Sequence, residues 1–424
     1  MKPSLTILEA DNRRAVDALL DPKRGRDPHL LRRVAAIVDR VRRDGDRALL
    51  TYARKFDSLN GPIEVARTEI EQGAATVDAS VRKAIGLAAR HIRRVAEKQR
   101  PRAWRISPTP GVTIEQRVLP LDRVGCYVPG GRYPLPSSLL MTSIPARVAG
   151  VREVIAVCPK PDPTVMYAAL EAGVDRLFRM GGAHAVAALA YGTASIPKVD
   201  RIVGPGNAYV AAAKALVSAD CAIDFFAGPS EIAVISSTGT PAWIAADLIA
   251  QAEHDPDARA ILITPSRRLA KSVQREIARQ MPADGPAKRS LATRGGIIVT
   301  RSIDDAIDLC QRLAPEHVVC DSDAIAARLT RAGTVFVGDH SAQAAGDYVT
   351  GSNHVLPTSG AAAARGGLST SDFVRVSTVQ RLTRKGLRTI APAGIVLAHA
   401  EGLRGHPESL RIRTVGRRRA RLRD

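Results

Sequence analysis

One short stretch of the chain contains a complete strand, turn and helix: residues 201–218 read RIVGPGNAYVAAAKALVS. Its first residues form a short apolar run, which predicts a strand over 201–203. The turn GPGN follows at 204–207, and the apolar positions after it predict a helix over 208–218. A strand that passes through a glycine turn into a helix is typical of α/β proteins with parallel sheets.

The same alternation continues on both sides of this stretch. Before it, the sequence predicts strands at 124–128, 154–157 and 176–178 and helices at 138–149, 164–172 and 183–191. After Gly228-Pro229-Ser230 a second series begins, with predicted strands at 232–235, 260–263, 296–299, 318–320 and 334–337. Strands that alternate with helices at this spacing form parallel sheets covered on both faces. Two such series therefore predict two α/β units.

The two ends of the chain do not show this alternation of strands and helices. Apolar residues recur at helical spacing from Pro28 to Val41 and again over 79–98, and a polar, proline-containing stretch follows at 101–110. From about Ser371 the composition is again helical, basic and loop-rich. The predicted domains are an N-terminal helical segment (1–25), a first α/β domain with a helical N-terminal part (26–125 and 231–370), a second α/β domain (126–230) and a C-terminal helical, basic tail (371–424).

The composition is that of a soluble globular protein with a sizeable core. Of 424 residues, 45% are hydrophobic and 25% are charged, which excludes a disordered chain. No apolar run reaches the roughly 18 to 20 residues of a membrane helix, and the N-terminus lacks the pattern of a secretory signal. The five cysteines are scattered without a CxxC pair, which excludes a disulfide scaffold and a thiolate-rich zinc knuckle. We therefore expect a cytoplasmic protein with reduced thiols that does not enter a membrane.

Basic residues outnumber acidic ones by 62 to 42, which is a net charge of +20. Residues 411–424 alone contain seven Arg and one Asp. Such a charge suits anionic cofactors or nucleic acid, and a basic nucleic-acid-binding protein is one alternative function. Aromatic residues are only 4% of the chain, however, so few side chains can stack on bases. Nucleic acid is therefore the weaker expectation, and charge alone decides no function.

Two short motifs have both a structural and a functional interpretation. The turn at 204–207 could bring a phosphate close to the backbone at a helix N-terminus, but it lacks the GxGxxG spacing and also suits a tight structural turn. Gln251 and His254 are three residues apart, so on a helix both side chains could reach one ligand. Imidazole nitrogen is a good zinc donor and amide oxygen a rarer one. The other interpretation is a helix C-terminus whose histidine complements the helix dipole.

Further candidates lie in the second half of the chain. Glu316 and His317 precede an apolar strand, where a carboxylate and an imidazole could serve as base and water activator if the turn bends them together. They could equally be a surface pair with no role. Asp347 and His354 fall in a Gly/Ser/Thr-rich run at 344–369, and long loops of this kind are often functional. Both are candidate ligands, although Asp347 could also serve in an Asx-turn.

Taken together and in this order, the motifs resemble the histidinol dehydrogenase family over most of the chain. The matching stretches are RVGCYVPGG (123–131), VGPGNAY (203–209), AGPSE (227–231), QAEH (251–254), APEH (314–317), AGDY (345–348) and GSNHVLPT (351–358). The resemblance implies an α/β fold of two related but incomplete Rossmann-like parallel-sheet domains with helical terminal elements. It also implies a zinc-dependent, NAD-linked enzyme at the end of histidine biosynthesis, which oxidises L-histidinol to L-histidine through bound histidinal with two molecules of NAD.

The resemblance also implies roles for individual residues of this chain. The implied zinc ligands are Gln251, His254, Asp347 and His406. The implied catalytic pair is Glu316 and His317, and the implied cofactor contacts are Tyr127, His184 and Asn207. The implied substrate contacts are Ser230, Gln251, His254, His317, Asp347, Glu401 and His406. His406 would come from the partner subunit of a homodimer, so the C-terminal tail would complete the active site of the other chain.

The residue types suit this chemistry. Removing hydride from an alcohol requires that the hydroxyl proton leave as well, so a base with a pKa near neutral is useful, and His317 qualifies. The second oxidation requires water to add to an aldehyde, and Glu316 can take the proton of that water. Zinc with four protein ligands would chiefly anchor the amine and imidazole of the substrate.

This chain departs from the pattern of the family near the expected cofactor and substrate. His184 stands in the run GGAH where the family has Gln, and the Phe225-Phe226 pair is more aromatic than usual. Asp255 follows His254 where Gly is usual. These differences leave open a paralogous zinc- and NAD-dependent dehydrogenase that acts on another amino alcohol or diol.

Overall fold

The secondary structure follows the predicted alternation of strands and helices. The computed structural model describes residues 5–21, 27–130, 133–225 and 228–414. Its strands are β1 (Ile7–Glu9), β2 (Trp104–Thr109), β3 (Val112–Pro120), β4 (Arg123–Tyr127), β5 (Glu153–Val157), β6 (Arg176–Phe178), β7 (Arg201–Val203), β8 (Ala222–Ile223), β9 (Glu231–Ile235), β10 (Arg259–Thr264), β11 (Gly296–Val299), β12 (His317–Cys320), β13 (Thr334–Val337) and β14 (Val374–Leu382). Its α-helices are α1 (Arg13–Leu20), α2 (Pro28–Asp44), α3 (Asp46–Asp57), α4 (Arg67–Ala75), α5 (Ala79–Gln99), α6 (Pro136–Ala149), α7 (Pro163–Ala172), α8 (Gly182–Tyr191), α9 (Ala208–Val217), α10 (Pro241–Ala252), α11 (Arg267–Gln280), α12 (Ala287–Arg294), α13 (Ile303–Leu313), α14 (Asp323–Ala326), α15 (Gln343–Tyr348), α16 (Arg384–Ala400) and α17 (Gly405–Thr414).

The stretch at 201–218 contributes β7 to a five-stranded parallel sheet of order β6-β5-β4-β7-β8. β4 comes first along the chain, two strands are added on one side of it, and β7 then starts the other side. The direction of winding therefore reverses between β4 and β7. In open α/β sheets, ligands bind at the carboxyl ends of the strands at such a point. Tyr127 and the turn at 204–207 both lie there.

A second parallel sheet has the order β1-β11-β10-β9-β12-β13. Its strands from β9 to β13 repeat the winding of the first sheet, so the prediction of two incomplete Rossmann-like sheets is confirmed. β1 is an additional edge strand, in which Ile7 pairs with Ile297. No pattern in the sequence predicted this strand, none of whose three residues is fully buried.

Buried apolar strands and one-sided helices form the core around these sheets. β9 and β10 are buried at every position, as expected of parallel strands covered on both faces. α2 buries Val34, Val38 and Val41, which recur at helical spacing. Each such side chain contributes about 1.5–3 kcal/mol when it leaves water.

The chain divides into two compact units. The first comprises Met1–Arg100 and Leu121–Phe373 and contains both parallel sheets. The second comprises Pro101–Pro120 and Val374–Asp424. It contains an antiparallel sheet of order β14-β3-β2 and the helices α16 and α17.

The antiparallel sheet was not predicted. The sequence pattern predicts a polar connection at 101–110 and a helical, loop-rich tail from 371, but β2 and β14 lie in these segments. β14 is mostly exposed on both faces, so the alternation that marks a half-buried strand is weak. Within the described ranges, no helix is long and apolar enough to cross a membrane. Most of the arginine-rich segment 411–424 lies outside the described residues, which end at 414.

Candidate active site

Glu316 and His317 lie side by side at the amino end of β12. The turn before them is sharp: Ala314, the C-cap of α13, has a positive φ of 46°, and such a conformation is strained for a residue with a Cβ. Beyond this turn, Glu316 Oε2 lies 3.8 Å from His317 Nδ1. The bend that a shared site requires is therefore present, and both side chains are buried rather than on the surface.

The carboxyl group of Glu316 is buried against the start of β9. Its Oε2 accepts a hydrogen bond of 2.9 Å from the N–H of Glu231, and the side chain of Ser230 also hydrogen-bonds to it. Burial raises the pKa of Glu316 well above its usual value, which these hydrogen bonds oppose only in part. Once deprotonated, such a carboxylate is a stronger proton acceptor than an exposed one. Ser230, a predicted substrate contact, thus lies against the carboxyl group of Glu316.

The main chain of β9 orients His317. Its Nδ1 lies 3.2 Å from the carbonyl oxygen of Glu231. Because a carbonyl oxygen can only accept, Nδ1 carries the hydrogen, and Nε2 is the basic nitrogen of the neutral ring. Nε2 lies 3.9 Å from Asp347 Oδ1. Burial lowers the pKa of His317 to about 4, although the charge of Asp347 opposes this, so the ring is neutral near pH 7 and less basic than the near-neutral value expected from the sequence.

The carboxylate of Asp347 lies close to the imidazole rings of His254 and His317. It is buried on the short helix α15, in a run that was predicted to be a loop. Its Oδ2 accepts a hydrogen bond of 2.9 Å from Gln343 Nε2 and lies 3.6 Å from His254 Nε2. Burial alone would raise the pKa of Asp347, but the neighbouring His254 and His317 lower it below the usual value. The carboxylate is therefore ionised and faces imidazoles.

His354 holds the main chain of Asp347 from the loop that follows α15. Its Nδ1 lies 2.8 Å from the main-chain oxygen of Asp347, and its Nε2 lies 3.4 Å from Ser138 Oγ. Burial lowers the pKa of His354, so the ring is neutral. Because protein atoms engage both nitrogens, the ring holds the loop in place, and neither nitrogen is directed to a ligand.

Gln251 has a buried amide without a partner. It lies in the last turn of α10 and is 0% exposed, and neither Oε1 nor Nε2 has a hydrogen-bond partner among the described residues. A buried polar group left unpaired costs about 1–3 kcal/mol, and an amide oxygen can instead bind a metal ion. α10 ends at Ala252, so His254 lies just beyond the helix. The main-chain N–H of His254 donates a hydrogen bond of 3.3 Å to the main-chain oxygen of Gln251.

The chemistry of these donors fits zinc. In the part of the chain that the structure describes, no group of three or more His, Cys, Asp or Glu side chains is placed to hold a metal ion. Of the four expected zinc ligands, only His254 and Asp347 are His, Cys, Asp or Glu residues of the first unit. Gln251 supplies an amide instead, and His406 belongs to the second unit. The unpaired amide oxygen of Gln251, in the last turn of the helix that ends just before His254, and the His254–Asp347 pair, 3.6 Å apart, are three donors of the types that zinc accepts.

The predicted cofactor contacts Tyr127 and Asn207 lie at the carboxyl ends of β4 and β7. Tyr127 is buried, and its hydroxyl accepts a hydrogen bond of 2.9 Å from the N–H of Gly182. Asn207 is exposed and caps α9, since its Oδ1 accepts from the N–H of Val210 at 3.2 Å. At Gly204, where φ is +113°, a Cβ would lie 2.2 Å from the carbonyl oxygen of Tyr127. A close backbone turn at a helix N-terminus suits a phosphate-bearing cofactor.

His184 contacts Asp57, a residue that no sequence pattern singled out. The ring is buried in the first turn of α8, and its Nε2 lies 2.8 Å from Asp57 Oδ2. The same oxygen accepts a hydrogen bond of 2.9 Å from the N–H of Gly181, the N-cap of α8. Asp57 and His184 are 127 positions apart, so no local spacing could reveal this contact.

The remaining predicted residues are divided between the two units. Glu401 is the C-cap of α16, His406 lies in the first turn of α17, and both are exposed residues of the second unit. Phe225 is buried in the first unit, with the guanidinium of Arg365 4.7 Å from its ring centroid. Phe226 lies outside the described residues.

The chain is similar to histidinol dehydrogenases in both sequence and structure. A family model described as histidinol dehydrogenase matches residues 22–414. Relatives of that name include a protein of Geobacter metallireducens, 45% identical over 92% of each chain, and one of Dechloromonas aromatica, 41% identical over 96% of this chain and 98% of the relative. The crystal structure of histidinol dehydrogenase from Elizabethkingia anophelis matches with a TM-score of 0.91 at 33% identity, over 97% of this chain and 98% of that one.

Proposed function

This chain belongs to the histidinol dehydrogenase family, and on that basis we propose that it oxidises L-histidinol to L-histidine, through bound histidinal, with zinc and two molecules of NAD. It is an enzyme, an NAD-dependent dehydrogenase of histidine biosynthesis, because the family match extends over residues 22–414. The zinc ion, the two-step course and the roles of single residues are inferred from the site.

The observation that carries this proposal is the unpartnered buried amide of Gln251, three residues before His254, which itself lies 3.6 Å from Asp347. These three residues would hold zinc, with His406 as the fourth ligand. When bound, zinc would anchor the amine and imidazole of the substrate, and NAD would accept hydride from its carbon.

His317 serves as the base of the first oxidation. Its Nδ1–H is committed to the Glu231 carbonyl, so Nε2 takes the proton of the alcohol as hydride leaves the carbon, and the product is the aldehyde. The ring is neutral near pH 7 because burial holds its pKa low. The negative charge of Asp347, 3.9 Å from Nε2, stabilises the imidazolium that forms.

Glu316 serves in the second oxidation. Its carboxylate takes a proton from the water that adds to the aldehyde carbon, and the hydrate that forms loses a second hydride and a further proton to give the carboxylate of histidine. The carboxyl group of Glu316 is buried, which limits its contact with bulk water. Ser230 hydrogen-bonds to this carboxyl group and so orients it.

Tyr127, Asn207 and the turn at 204–207 would hold the cofactor at the point where the first sheet reverses its winding. His184 would contribute through Nδ1, because its Nε2 is engaged by Asp57. The departures from the family pattern give no support to a different alcohol, since the described side chains at these positions contact protein residues: Asp57 faces His184 and Arg365 stacks on Phe225.

A homodimer would bring Glu401 and His406 of one chain to the zinc site of the other. The second unit exposes several large apolar side chains, which a partner subunit would cover. They include Val376 (53% exposed), Val396 (67%), Leu397 (64%) and Ile412 (59%). The five cysteines are all free and buried, which supports our inference of a reducing, cytoplasmic location.

The test is to follow NAD reduction with L-histidinol, before and after removal of metal by a chelator. We expect two NADH per histidinol, loss of activity on chelation and recovery with zinc. In a panel of amino alcohols, L-histidinol should react fastest. One NADH per alcohol, or full activity in protein shown to be free of metal, would contradict the proposal.

A mixing experiment tests the shared site. Gln251→Met and His406→Asn are each expected to be inactive because each removes a zinc ligand from every site. If His406 acts across the dimer, mixed dimers of the two variants should regain one intact site and up to half the activity of that dimer. No recovery, in samples shown to have exchanged subunits, would place His406 in the site of its own chain.

A further inference from the structure

A buried ion pair lies directly behind the turn at 204–207. Lys214, on α9, and Asp224, just after β8, are only 2% and 5% exposed, and Lys214 Nζ hydrogen-bonds to Asp224 Oδ1. Lysine and aspartate are almost never this buried unless they are paired. Because both charges must leave water, an apolar pair of similar volume would often be as stable. Stability alone therefore does not account for the pair.

The hydrogen bonds of the pair converge on one residue of the turn. Asp224 Oδ2 accepts from the N–H of Gly204 at 2.8 Å, and Lys214 Nζ donates to the carbonyl oxygen of Gly204 at 3.0 Å. The backbone of Gly204 is in the left-handed range, at φ +113°, and lies too close to Tyr127 for any Cβ. Two charged groups thus fix both polar backbone atoms of the glycine that begins the turn.

Asp224 is itself held in place by other atoms. Its Oδ1 accepts a second hydrogen bond, of 2.6 Å, from the N–H of Phe225. Its main-chain oxygen accepts from the guanidinium of Arg365, which also pairs with Asp372 at 3.0 Å. The carboxylate therefore cannot turn away from Gly204 without breaking several contacts.

We propose that Lys214 and Asp224 are positioning residues for the cofactor, which hold the turn at 204–207 in the shape that receives the dinucleotide. This inference rests on the proposed function, because it takes the turn to be part of the NAD site. Both side chains lie beneath the surface, so they act through the backbone of Gly204 on Asn207 and on the N-terminus of α9. A turn that is already ordered binds more tightly, since less freedom is lost on binding.

The test replaces both charges at once, with Lys214→Met and Asp224→Leu in the full-length, zinc-loaded enzyme. This double variant keeps an apolar pair in the space and removes both hydrogen bonds to Gly204. We expect the Kd of NAD, measured by isothermal titration calorimetry, to rise at least tenfold. The KM of NAD should rise in parallel, while the KM of histidinol and the zinc content stay within twofold of wild type.

A control removes another, partly exposed, ion pair of the same unit. The side chain of Arg176 donates hydrogen bonds of 2.8 and 2.7 Å to Glu64 and one of 3.4 Å to the main-chain oxygen of Ser195. Arg176→Met with Glu64→Leu should leave the Kd of NAD within twofold of wild type. An equal loss of NAD affinity in this control would overturn the proposal, because general loosening of the fold would then explain both results.

Lys214→Met with Asp224→Asn covers the case in which the first double variant does not fold, because it leaves no unpaired charge buried and keeps an acceptor for Gly204. Its amide oxygen can still accept from the N–H of Gly204, but the hydrogen bond from residue 214 to the carbonyl oxygen of Gly204 is lost. We expect a threefold or larger rise in the Kd of NAD and faster hydrogen exchange at the amides of Gly204, Gly206 and Asn207. A folded variant of either kind with wild-type NAD affinity would refute the positioning role alone, whereas wild-type protein that binds no NAD would refute the proposed function.

Discussion

Replacing Gln343 with methionine should weaken zinc binding and leave the fold intact. Gln343 is 1% exposed and donates a hydrogen bond of 2.9 Å to Asp347 Oδ2. Its own Oε1 is buried and has no partner among the described residues. Methionine has nearly the same volume, so the substitution removes the hydrogen bond and the unpaired oxygen without opening a large cavity.

The two effects on the free energy of unfolding nearly cancel. Losing a hydrogen bond to an ionised carboxylate costs about 1.5–3 kcal/mol, and removing an unpaired buried oxygen relieves about 1–3 kcal/mol. The loss of zinc affinity is not compensated in this way. The hydrogen bond from Gln343 orients Asp347, a proposed zinc ligand, whereas the unpaired oxygen of Gln343 does not. Residues that orient a metal-binding side chain typically contribute about 10- to 100-fold in affinity, and we expect a loss of that size.

Competition with a chromophoric chelator measures the zinc affinity, and thermal unfolding of the metal-free protein measures stability. Gln311→Met is the matched control, since Gln311 Oε1 accepts from the N–H groups of Thr330 and Arg331, both at 3.0 Å, with no contact to the site. It should lower stability and leave zinc affinity unchanged. A Gln343→Met variant that binds zinc as tightly as wild type would refute the reasoning.

Two further predictions concern stability alone. Ser58 ends α3 at a positive φ of 59°, so Ser58→Gly should raise the free energy of unfolding by about 0.5–1 kcal/mol in urea titrations. The control is Ser218→Gly, at a C-cap with φ −64°, which should bring no gain in stability. Equal gains in the two variants would count against the explanation. Burial raises the pKa of Asp247 from 3.8 to about 6, so its contribution is present below about pH 4 and is lost as the pH rises through 6. Asp247→Asn should therefore show a smaller fall in unfolding free energy between pH 4 and 7 than wild type, and parallel pH profiles would show the prediction to be wrong.

The sequence predicts the parallel sheets well because their physics is local. A strand buried on both faces reads as an unbroken apolar run between turn residues, and 296–299, which is buried at every position, was predicted with the bounds that the structure has. The bounds of 201–203 and of the partly buried strand 334–337 were also predicted. The strands of the second unit could not be found in this way. Their side chains are largely exposed on both faces, so burial leaves little periodic trace in the sequence.

The active-site pair at Glu316 and His317 could be proposed because a family resemblance supported it, whereas spacing alone left it ambiguous. Asp57, Lys214 and Asp224 gave no signal, since their partners become visible only once strands and helices are packed. Gln343 lies four residues before Asp347, and a helix over this run would place the two side chains on one face. The run was predicted as a loop because its small and polar residues do not resemble a helix.

The hydrogen position on His317 is set by the carbonyl of Glu231, a group that no mutation of a side chain can delete. This hydrogen bond depends on the register of β12 against β9, in which His317 is paired with Ile232. Evolution could exchange nearly every side chain that selects the alcohol and leave this tautomer untouched. A slip of β12 along β9 would reassign the proton, and such a slip would exchange the two faces of a largely buried strand.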